Sequence, residues 1–101
     1  MHIIYILQYS DSSYYTGMTS NLDKRIEEHH TGAYPNCFTF SRRPVILKYT
    51  EVYKLVYDAI SREKQIKGWS RKKKEALMRG DYDELKLLAK NRVKSDNNSL
   101  P

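Results

Sequence analysis

Arg25 and His29 stand four residues apart, beside Leu22 and Ile26, which are also four apart. On a helix that spacing sets the two polar groups next to one apolar ridge. A guanidinium grips oxyanions through a planar fork, and an imidazole exchanges protons near neutral pH. One such residue beside a ridge would simply reach round to water, since burial without a partner is costly. Two on one stripe, just after Tyr14-Tyr15-Thr16-Gly17, look like a site. A second candidate is Glu63, which falls on the apolar stripe Val56, Ala59, Ile60 and Ile66. A carboxylate there needs a cation, either a metal ion or a basic side chain such as Lys67. The densest charge block is Arg71-Lys72-Lys73-Lys74. Cations at a helix start oppose the macrodipole, so phosphate contact or plain solubility has to account for them. Arg42 and Arg43, ahead of Pro44, suit either a DNA backbone contact or a solvated loop end.

The elements that must carry these groups follow from pattern. Residues 2–9 are almost continuously apolar and aromatic, as in a strand covered on both faces. Ser10-Asp11-Ser12-Ser13 is a turn cluster leading to a second strand, Tyr14 to Met18, so the two form a hairpin. Gly17 reads as a bend, or as a place where the backbone comes close to another group. Ser20 suits the N-cap of the helix bearing Arg25 and His29, and Gly32 its end. Residues 33–43 have no clear period and read as a loop. Val45 to Tyr53 alternates as a third strand. A helix follows from about Leu55 to Lys67, closing at Gly68. Ser70 caps another, Arg71 to Arg79, which ends at Gly80. Asp81 and Glu84 open a last short helix as a capping box. Residues 91–101 are polar and aperiodic and read as a frayed tail, so the domain is expected to span 1–90.

Ile3-Ile4-Tyr5 and Tyr15-Thr16-Gly17, followed by Arg25 and His29, resemble the two signature tripeptides and first helix of the GIY-YIG nuclease family. The run Ser61-Arg62-Glu63-Lys64-Gln65-Ile66-Lys67-Gly68-Trp69-Ser70 resembles the part that carries that family's metal-binding glutamate. Ile3 stands where the family has its first glycine, and Thr16 where it has isoleucine. The asparagine that some members carry beyond the glutamate has no counterpart at that distance. The resemblance implies an α+β domain, a three-stranded, mainly antiparallel sheet flanked by helices. It implies phosphodiester hydrolysis, with Glu63 holding one Mg²⁺ or Mn²⁺ and Arg25 forking onto the non-bridging oxygens. Tyr5 would take the proton from the attacking water, with Tyr15 and His29 hydrogen-bonding the reacting groups. His29 is the alternative base, because a free tyrosine titrates near pH 10 and needs a cationic neighbour to serve.

The whole chain sets the remaining bounds. With 101 residues it has room for one modest core. Lys and Arg number 18 against 12 Asp and Glu, a net +6 that suggests a polyanionic partner. DNA is the expected partner, RNA the alternative, and a protein partner would supply targeting, since nothing beyond the catalytic core reads sequence. No apolar run approaches the roughly 20 residues that span a bilayer. Cys37 stands alone and can form neither an internal disulfide nor a zinc site, which fits a reducing, cytoplasmic setting. The competing function on the same scaffold is a non-catalytic nucleic-acid binder, with tyrosines for stacking.

Overall fold

The computed structural model describes residues 1–31 and 44–89. Cys37, Arg42, Arg43 and the expected tail lie outside those residues. The chain forms two compact units that divide between Gly68 and Trp69.

The first unit holds β1 (His2–Gln8), β2 (Tyr14–Thr19), α1 (Leu22–Thr31), β3 (Ile46–Tyr53) and α2 (Val56–Lys67). The sheet order is β2-β1-β3, antiparallel throughout. β1 is central, and Ile4, Tyr5, Ile6 and Leu7 are all fully buried in it, as its unbroken apolar run requires. Each such aliphatic side chain contributes about 1.5–3 kcal/mol of burial. Alternation along β1 then separates two faces. Tyr5, Leu7 and Tyr9 form one cluster with Val45, and Leu22 and Ile26 of α1 pack on it. On the opposite face, α2 lies against β1 and β2 and buries Ala59 and Ile66.

Three local expectations change. Gly17 makes no bend: it sits inside β2, paired with Tyr5. The N-cap of α1 is Asn21, whose Oδ1 accepts from the Lys24 amide at 3.1 Å, while Ser20 lies one residue outside. In β3 the alternation of Val45, Leu47 and Tyr49 does not mark the buried side. A register shift opposite Ile6 and Leu7 leaves Lys48 as an extra residue. Ile46 and Leu47 are exposed, and Tyr49, Glu51 and Tyr53 are the half-buried positions.

The second unit contains α3 (Arg71–Arg79) and α4 (residues 82–89). Ser70 Oγ accepts from the Lys73 amide at 3.3 Å, and Gly80 ends α3 at φ 72°, a left-handed position that costs other residues strain. Asp81 Oδ1 accepts from the Glu84 amide at 3.1 Å, which caps α4 as the sequence suggests.

Candidate active site

Tyr5 is the hub of the site. Directly opposite it in the register stands Gly17, and its missing side chain leaves room for the Tyr5 ring. A Cβ there would overlap the Tyr5 hydroxyl, lie 2.5 Å from Tyr5 Cζ and 3.0 Å from Tyr15 Cε1. The glycine therefore serves close approach. Tyr15 faces the same side of the sheet, with its ring centroid 6.1 Å from that of Tyr5 and 5.3 Å from that of His29. His29, on the last turn of α1, is 2% exposed. Its Nε2 lies 3.3 Å from the Tyr5 hydroxyl.

The electrostatics set the protonation state of both groups. Burial pushes the Tyr5 phenol well above its ordinary value; Tyr15 adds to the rise and Arg25 opposes it by hydrogen bond and charge. Burial also lowers the His29 imidazole, and the neighbouring Arg25 charge lowers it further. At neutral pH the contact is a hydrogen bond between a protonated phenol and a neutral imidazole. Arg25 lies one helical turn before His29 and pairs with Glu28, Nε to Oε1, at 3.4 Å. It also borders an open cleft of about 280 Å³ lined by Thr19, Ser20, Asn21, Lys24 and Glu28. The Nε2 of adjacent His30 donates to the Val45 carbonyl at 2.8 Å, tying α1 to the entry of β3.

Glu63 is placed differently. It pairs with Lys67 at 3.6 Å, its side chain 19% exposed against 52% for the lysine. Its neighbour Arg62 reaches Glu51 at 3.0 Å, and Glu51 is in register with Ile4. Through Arg62, α2 is tied to the face of the sheet that carries Ile4. Tyr5, Tyr15, Arg25 and His29 are drawn together; Glu63 is not among their contacts. Among the described residues no group of three or more His, Cys, Asp or Glu could hold a metal. A single carboxylate suits only an ion that keeps most of its water, as Mg²⁺ and Mn²⁺ do. An ion pair with a half-exposed lysine is weak enough to give way to one.

The lysine block divides too. Lys72 is exposed and Lys74 half-buried. Lys73 is buried, with Nζ 4.5 Å from the centroid of the Trp69 ring. It is a packed cation, which removes it from the expected surface contacts.

Comparisons with known proteins show the family. Residues 1–76 match the family model of the GIY-YIG catalytic domain. The chain belongs to the GIY-YIG family. A UPF0213 protein of Syntrophus aciditrophicus is 43% identical over 81% of this chain and 94% of its own length. Another, from Halobacterium salinarum, is 42% identical over 76% and 99%. The solution structure of a UPF0213 protein from Bacillus halodurans aligns with a TM-score of 0.52 at 36% identity, covering 82% of this chain and 90% of that one. This GIY-YIG protein therefore has the scaffold of a nuclease family whose substrate is DNA. No helix among its described residues is long and apolar enough to cross a membrane.

The sequence did not single out the group around Glu51. Tyr49, Glu51 and Tyr53 recur at every second residue of β3, a spacing that puts all three on one face. The aliphatic alternation of Val45, Leu47 and Tyr49 in the same strand masks that signal.

Proposed function

We propose that this GIY-YIG protein is a divalent-metal-dependent endonuclease that hydrolyses phosphodiester bonds in DNA with low intrinsic sequence specificity. The observation that carries the reading is the hydrogen bond between Tyr5 and a buried His29, beside Tyr15 and Arg25. Hydrolysis needs an acceptor for the proton of the attacking water and positive charge on the phosphoryl oxygens. Because burial keeps the Tyr5 phenol protonated, the neutral imidazole of His29 is the group that can take up the proton. Tyr5, hydrogen-bonded to it, would pass a proton along that bond as it takes one from water. Arg25, always charged, forks onto the non-bridging oxygens. Tyr15 orients the reacting groups from the other side. Glu63 would hold the Mg²⁺ or Mn²⁺, which when bound supplies charge stabilisation worth several kcal/mol of barrier. Lys72 and Lys74 contact the phosphate backbone, and a protein partner supplies targeting.

One observation favours a second reading. The Glu63–Lys67 pair is what a non-catalytic nucleic-acid module would show at that position. Incubating pure protein with supercoiled plasmid, with Mg²⁺ and with chelator, separates the two. The nuclease reading expects nicking with metal alone; DNA binding without nicking in either condition would establish the module.

A further inference from the structure

Glu51 collects an unusual set of donors. The Tyr49 hydroxyl donates to its Oε2 at 2.5 Å and the Tyr53 hydroxyl to its Oε1 at 2.6 Å. Arg62 adds a two-pronged pair, Nε to Oε1 at 3.0 Å and Nη2 to Oε2 at 3.1 Å. A carboxylate has about four acceptor positions, and these donors occupy them. The remaining prong of Arg62, Nη1, donates to Gln65 Oε1 at 3.0 Å on the same helix. Both partners of the ion pair are largely removed from water, the side chains 23% and 14% exposed. A carboxylate so fully engaged has nothing left for a cation.

We propose that Glu51, Tyr49, Tyr53 and Arg62 form a positioning clamp that fixes the rotation of α2 on the sheet and thereby aims Glu63 at a divalent cation. The proposal rests on the metal-binding reading of Glu63. Arg62 and Glu63 are adjacent on α2, so clamping one sets the direction of the other. Apolar contacts through Ala59 and Ile66 hold the helix down but resist rolling poorly, being non-directional. A carboxylate stands roughly 5 Å from its helix axis, so a 20° roll moves it by about 2 Å. A binding constellation tolerates only about 0.5 Å. The forked, four-donor contact supplies the direction that the apolar contacts lack. It also separates the roles of two carboxylates on neighbouring elements. Glu51 is saturated and fixed; Glu63 has only a half-exposed lysine to displace.

The test is Mn²⁺ binding without substrate, read as the electron paramagnetic resonance signal of free Mn²⁺, well below each protein's melting temperature. Wild type, Glu63→Gln, Glu51→Gln and the double variant are compared. We expect Glu51→Gln to weaken Mn²⁺ binding about tenfold, as supporting groups around a ligand do, and to change nothing further when Glu63 is already glutamine. If Glu51→Gln does not fold, Tyr53→Phe removes one donor, keeps the ring and should weaken binding in the same direction. Wild-type affinity in a folded clamp variant would overturn the proposal. Equal affinity in wild type and Glu63→Gln would instead overturn the metal reading, and the clamp with it; that result appears in a separate arm.

Discussion

Gly17→Ala should separate the packing account of the site from one in which glycine is merely a flexible strand residue. In the interior of a strand, alanine is normally better than glycine by roughly 0.5–1 kcal/mol. Here the new methyl would lie 2.5 Å from Tyr5 Cζ and 3.0 Å from Tyr15 Cε1. Tyr5 is fully buried and cannot swing out to water. Overpacking of that kind costs about 1–3 kcal/mol, and displacing the ring loses the 3.3 Å bond to His29, about 1 kcal/mol more. The balance is a loss of about 1–3 kcal/mol. At roughly 4–8 °C per kcal/mol for a domain of this size, the melting temperature should fall by about 5–20 °C. Cleavage should fall with it even at 20 °C, where the variant is still folded, because the Tyr5 hydroxyl has moved. Gly80→Ala is the control: nothing lies within 4 Å of its Cβ, but its φ is +72°. Backbone strain of about 1–2 kcal/mol should lower its melting temperature without touching cleavage. A Gly17→Ala protein as stable as wild type, with full nicking, would refute the reasoning.

Other outcomes follow from the same structure. Arg25→Lys keeps the charge but loses the planar fork, so plasmid nicking should collapse; full activity would reduce Arg25 to a generic cation. Burial holds His29 below its ordinary value, so the unfolded chain takes up that proton first. Stability should therefore drop as pH falls below about 6.5, by at most about 1.4 kcal/mol per pH unit. His29→Gln should flatten thermal melts measured between pH 7 and 5; an unchanged slope would argue against a buried neutral imidazole. The lowered Glu51 carboxyl acts in a separate window, since its contribution is present above pH 4.5 and lost on further acidification. Replacing Lys72 and Lys74 by alanine should reduce the slope of log affinity for DNA against log salt by about 1.8, at roughly 0.9 per contact. Lys73→Met should leave that slope alone and lower the melting temperature, because its ammonium packs over Trp69.

Much of the frame was legible because single residues carry it. The unbroken apolar run of β1 announces a central strand, and Ser70, Gly80 and Asp81 act as the caps their types suggest. That Arg25 and His29 share one side of α1 was legible from their spacing, since four residues on a helix leave little freedom. The missing parts are those that depend on what lies across space. Gly17 looks like a bend in sequence; only the register shows that Tyr5 needs the space above it. Asn21 and Ser20 are both good caps, and the exact start of α1 decides between them. Lys73 looks like its neighbours until Trp69 is seen beside it. Glu51 was hidden for the same reason: its meaning comes from Arg62, eleven residues later in the chain and on another element. Glu63, next to Arg62, is conspicuous in sequence because an apolar stripe isolates a lone carboxylate.

The most direct test of the central claim is the Mg²⁺-dependent nicking rate of Glu63→Gln on supercoiled plasmid, set against wild type. The substitution keeps shape and packing and removes the one charged ligand proposed for the ion. The account predicts a rate lower by orders of magnitude, with the protein still folded and still bound to DNA in chelator. Nicking at the wild-type rate would contradict it, and would leave Glu63 as the partner of Lys67 and nothing more.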